Sequence, residues 1–142
     1  MRTTPTLRRN KVVVQYAVPR RGVPSASAFR RWARMATSSA VNLRIVGERE
    51  GRALNRTFRK KDNATNVLSF HSGDVVLCHP VIQREARAQG KSVTAHYAHL
   101  VMHGVLHLRG YQHEKKRDAA RMEAREIRLL GRAGFRNPYT VE

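Results

Sequence analysis

The order of its hydrophobic runs constrains this chain more than any other feature. Four short runs fall in the first 80 residues: KVVVQYAV over 11–18, VNLRIV over 41–46, NVLSF over 66–70 and DVVLC over 74–78. They are rich in β-branched residues, and the second alternates apolar with polar positions, the pattern of a strand with one wet face. Only His71-Ser72-Gly73 separates the last two, which suits a tight turn. Helical periodicity fills the rest. Ser25 or Ser27 caps a segment to about Thr37, with Phe29, Trp32, Ala33 and Ala36 on one face, so Trp32 is read as core. A short helix is expected within 47–58 and another over 81–89. Ser92 or Thr94 caps a long one to about Leu108, stopped by Gly110, and a last one covers about 114–130. Strands precede helices more than they alternate with them. The expectation is an α+β fold, a small mixed sheet of about four strands covered by helices.

At 142 residues the chain has room for one domain. Residues 1–10 are read as a basic flexible arm and 11–142 as the single domain. No run approaches the ~20 apolar residues of a membrane helix, and no apolar stretch follows the basic N-terminus as in a secretory signal. The one cysteine, Cys78, excludes an internal disulfide and is read as a small buried hydrophobe. These points give the expectation of a cytoplasmic protein. Lys and Arg total 28 against 10 Asp and Glu, a net charge of +18. That excess favours a polyanionic partner, because neutralising phosphates releases counterions whatever the base sequence. Few aromatic residues lie near the motifs below, so backbone attraction should outweigh base stacking.

Five of the seven histidines fall between positions 96 and 113. His103 and His107 are four apart, so on a helix they leave one face about 40° from each other and can share an ion. His113 would point elsewhere on a continued helix, but Gly110 lets the chain turn back and bring it in. Three neutral nitrogen ligands leave a fourth position for water or substrate, as in catalytic zinc sites. His96 and His99, earlier on the same helix, either orient the ligands or line a wet groove. The spacing matches the zinc-binding part of metzincin peptidases, but those need Glu directly after the first histidine. Gly104 stands there, which disfavours a peptidase.

The segments HYAHLVM and HGVLHLRGYQH over 96–113, LNRTFRKKD over 54–62, ATNVLSF over 64–70 and GDVVLC over 73–78, with Met122-Glu123, together resemble the YbeY family of bacterial endoribonucleases and rRNA maturation factors. The likeness runs from about 11 to 139. It implies a zinc ion, one per chain, held by His103, His107 and His113, and a metal-dependent hydrolase domain over 11–142. It further implies cleavage of single-stranded RNA, with roles in small-subunit rRNA 3′ end maturation and ribosome quality control. The family's important arginine maps onto Arg59, the expected catalytic residue. Its basic neighbours Arg56, Lys60 and Lys61 are expected nucleic-acid contacts. Expected partners are single-stranded RNA, rRNA and the small ribosomal subunit, without a membrane. Gln112 stands where the family usually has Asp, and only His71 and Ser72 fill an interval where it carries an acidic loop. Those departures keep a second reading open: a non-catalytic RNA-binding assembly factor with a structural metal.

Overall fold

The computed structural model describes residues 11–110 and 116–139. The arm over 1–10, His113 and Gln112 lie outside them. Four strands, β1 (Val12–Tyr16), β2 (Val41–Val46), β3 (Val67–Phe70) and β4 (Asp74–Cys78), form one sheet in the order β1-β2-β4-β3. The first two pairings are parallel and β3 runs antiparallel to β4. The five described helices are α1 (Ala26–Ala36), α2 (Glu48–Arg59), α3 (His79–Gln89), α4 (Val93–Leu108) and α5 (Lys116–Arg132). This is the small mixed sheet with covering helices that the order of runs implied.

The parallel pairs follow from their connections. α1 links β1 to β2, and α2 with β3 lies between β2 and β4. The β3–β4 turn is tight because Gly73 takes a φ of 100°, where its N–H reaches the Phe70 carbonyl at 2.9 Å. Inward positions of β2 and β4 alternate. Leu43, Ile45, Val75 and Leu77 are fully buried against α1, α4 and α5, among Phe29, Tyr97, Met102, Leu106 and Leu129. Trp32 is in this core, 5.7 Å from Phe29 in an edge contact. The other face buries Val46, Leu68, Val76 and Cys78 beneath Leu54 of α2. Cys78 is the buried hydrophobe expected, and desolvation raises its thiol pKa.

Helix ends follow their residues. Ser25 and Ser92 accept from the amides of Ala28 and Ala95, at 3.1 and 3.0 Å. Gly90 (φ 67°) closes α3, and Gly110 (φ 98°) follows the end of α4. α3 begins two residues earlier than its periodicity suggested, because Pro80 is tolerated in a first turn, where its missing N–H has no partner to lose.

Gly104 has a packing reason. A Cβ there would lie 2.8 Å from Val75 Cγ1 and 3.1 Å from Ser69 Oγ. Only a residue without a side chain lets α4 approach the sheet this closely, and Ser69 Oγ donates to the Gly104 carbonyl at 2.9 Å. Alanine would gain up to about 1 kcal/mol in helix propensity. Overpacking typically costs about 1–3 kcal/mol, so the clash outweighs the gain. Any shift of α4 to relieve it would move His103, the adjoining residue.

Candidate active site and metal centre

The cleft lies at the sheet edge formed by β3. It has a volume of about 610 Å³, and its lining includes Arg59 from the last turn of α2, Lys61 from the segment just after it, His71 from the β3–β4 turn, and His103 and His107 from α4. The α4 periodicity brings the two imidazoles together as the sequence implied: their ring centroids are 4.8 Å apart and the planes near perpendicular. His113 falls outside the described residues.

Arg59 belongs to the cleft. Its Nη2 donates to the Ser69 carbonyl at 3.1 Å, on the edge strand, which holds the guanidinium beside the opening. Buried Asn55, one turn earlier, donates Nδ2 to the Asn63 carbonyl at 2.8 Å. That bond folds the chain after α2 back on itself and carries Lys61 to the rim. Lys60 forms the α2 C-cap with φ 61° and is not in the lining. Arg56 also stands outside the lining, 3.6 Å from the Asp62 carboxylate. Asp62 is mainly held by Arg52, at 2.9 Å, which lowers its pKa by hydrogen bonding.

Behind the imidazoles lies a group that sequence reasoning missed. Glu126 of α5 is completely buried. His103 Nδ1 is 2.8 Å from its Oε2 and His99 Nε2 is 2.8 Å from its Oε1. The Tyr139 hydroxyl donates to Oε1 as well. Burial opposes charge on this carboxyl, but the bonds from His103, His99 and Tyr139 prevail and bring its pKa down to about 2. An ionised carboxylate only accepts, so Nδ1 of His103 and Nε2 of His99 carry the hydrogens. Coordination by His103 then falls to Nε2. This is the carboxylate–histidine arrangement that fixes ring orientation behind many metal ions. A signal for it exists in the sequence: Glu126 sits between Met122 and Leu130 on the buried stripe of α5, where an unpartnered carboxylate would be costly.

His99, His103 and Glu126 are themselves a group that could hold a metal ion, with candidate ligand atoms within 4.8 Å of one another. An ion among them would replace the hydrogens on both nitrogens. Neither His99 nor Glu126 lines the cleft. Of the two roles left open for His99, the bond to Glu126 supports the orienting one. His96 serves elsewhere: its Nε2 is 2.8 Å from Glu85, which also accepts from Asn66 Nδ2 at 3.0 Å. Burial lowers the His96 pKa, ahead of the opposing bond from Glu85.

A single mixed sheet, helices on both faces and paired imidazoles backed by a buried carboxylate beside an arginine define a one-domain α+β protein with a candidate metal centre in a basic cleft. The family model described as Endoribonuclease YbeY matches residues 25–134. The chain belongs to that family. It is 46% identical over 140 residues to the Endoribonuclease YbeY of Nitrosomonas eutropha, covering 92% of this chain and 99% of that one. It is 44% identical over 151 residues to that of Stenotrophomonas maltophilia strain K279a, covering 92% and 94%. It also resembles the solution structure of a Thermotoga maritima protein, with a TM-score of 0.53 and 19% identity over 92% of this chain and all of the other, a likeness of fold alone. No described helix is long and apolar enough to cross a membrane.

Proposed function

We propose that this protein is a metal-dependent endoribonuclease that cuts single-stranded RNA in the cytoplasm. Its place is the maturation of small-subunit rRNA 3′ ends and ribosome quality control. The observation that carries the reading is the pair His103–His107 in a cleft with Arg59, with His103 oriented from behind by ionised Glu126. This donor set fits a divalent ion of borderline softness such as zinc, with His103, His107 and His113 as the ligands. When bound, zinc supplies Lewis-acid polarisation of a phosphate oxygen and activation of water.

The chain's own residues do the rest. Arg59 presents a planar donor fork to non-bridging phosphate oxygens, whose negative charge grows in the transition state. Lys61 at the rim attracts the strand, and Arg56 and Lys60 add field from just outside. The second reading, an RNA-binding assembly factor with a structural metal, makes a different prediction under chelation. Purified protein should cleave an unstructured RNA, lose cleavage with EDTA and regain it on adding zinc, while RNA binding changes little. Retained binding with no cleavage in any of these states would favour the assembly factor.

A further inference from the structure

The arginines of α5 play no part in the cleft. The helix holds five: Arg117, Arg121, Arg125, Arg128 and Arg132. At 100° per residue all five fall within a sector of about 80°, and they span about 22 Å of helix. No arginine of the helix lies outside it. Four of the five are exposed and Arg125 is half-buried, while the other exposed flank carries Ala120, Glu123, Ala124 and Gly131. Asp118 borders the stripe at its N-terminal end.

This arrangement is unfavourable to the helix alone. Residues 117 and 121, 121 and 125, 125 and 128, and 128 and 132 are like-charged neighbours at three- or four-residue spacing. Elsewhere the protein pairs such groups: Arg44 with Glu50, Arg52 with Asp62 and Arg84 with Glu48. Among the described residues, none of the α5 arginines is in an ion pair. A basic surface serving solubility alone would not need its charges aligned along one stripe. Successive guanidinium stems are ~4.5–6 Å apart along the axis, so the stripe offers a ladder of donor forks to a continuous row of anions. The buried face of the same helix presents Glu126 to the histidines, so a ligand held on the stripe is held on the element that buttresses the site.

From this we propose that the arginine stripe of α5 is a second RNA-binding surface, outside the cleft, which follows the phosphate backbone of a single strand and holds substrate too long for the cleft. The proposal rests on the endoribonuclease reading for its choice of RNA as the polyanion.

The test compares two triple variants of the full chain that lose equal charge. One carries Arg121→Gln, Arg128→Gln and Arg132→Gln. The other carries Arg30→Gln, Arg31→Gln and Arg87→Gln, at exposed positions of α1 and α3. Binding of a 2′-O-methyl oligouridylate of roughly 20 nucleotides is followed by fluorescence anisotropy across salt concentrations, where each phosphate contact on a single strand contributes about 0.7 to the slope of log K against log salt. The stripe variant should lose about 2 from that slope, the sum of three contacts. The control triple should keep the wild-type slope. Lysine at the three stripe positions, which restores charge and guards against a folding artefact, should recover most of it. An unchanged slope in the stripe variant, or an equal loss in both triples, would overturn the proposal. The two readings fail separately. Wild-type protein that binds with the stripe's slope but cuts no RNA defeats the nuclease, and protein that cuts RNA while the stripe variant keeps its full slope defeats the stripe.

Discussion

Replacing Arg59 with alanine should lower kcat for RNA cleavage by about 10²–10³-fold, the usual consequence of removing one donor aimed at developing charge. RNA affinity should fall far less, because one of many phosphate contacts is lost and the general basic field of a +18 chain remains. Folding should hardly change: Arg59 is exposed, and its bond to the Ser69 carbonyl lies at the surface. Single-turnover cleavage and anisotropy binding on the same RNA separate the two effects. If kcat and affinity fall by the same factor, Arg59 is a simple phosphate contact and the transition-state role is wrong. Lysine at 59 should restore only part of the rate, since an ammonium is a point charge and cannot bridge two oxygens in a plane.

Glu126→Gln should weaken zinc binding by about 10–100-fold, the common cost of losing the partner that orients a ligating histidine. Glu126 meets three donors: His103, His99 and Tyr139. A glutamine supplies one oxygen and one NH₂, so at least one of these donors faces another. Where the NH₂ meets His103, the imidazole satisfies it by moving its hydrogen from Nδ1 to Nε2, which removes the lone pair needed for the ion. Stability should also drop by about 1–3 kcal/mol, because an unsatisfied polar group is left buried. Competition titration against a zinc chelator measures the first effect, and nitrogen chemical shifts of the His103 ring report the tautomer directly. A variant with unchanged zinc affinity and ring shifts would reduce Glu126 to a packing element.

These two predictions differ in how far the sequence could have led to them. Arg59 could be placed in the site only through the family likeness. Its neighbours Arg56, Lys60 and Lys61 are equally basic, and nothing local separates the two that reach the cleft from the two that do not. That separation is made by the fold-back after α2, through the bond from Asn55 to Asn63, and by the ion pair of Arg56 with Asp62. The pairing of His103 with His107 was legible because a helix fixes the angle between positions four apart. The buried stripe of α5 marked Glu126 as a carboxylate in need of a partner, but its meeting with His103 and the arrival of Tyr139 were not legible, because the two stand 23 and 36 residues beyond His103 and reach the site only once α5 packs on α4. The fold was the easiest to read. Its strands carry β-branched runs, its long helix is bounded by Ser92 and Gly110, and its sheet turn is closed by Gly73. The ends of elements were harder, since β1 stops at Tyr16 although the apolar run continues to Val18.

The most direct test is a metal titration of wild-type protein beside His107→Ala and His99→Ala, each first shown to be folded by thermal unfolding. Wild type should take up one zinc ion per chain. His107→Ala should lose tight binding, whereas His99→Ala should keep one ion with reduced affinity, because its ring touches the buttress and not the cleft. Tight one-to-one binding that survives loss of His107 and disappears with loss of His99 would place the ion at Glu126 and contradict the assignment.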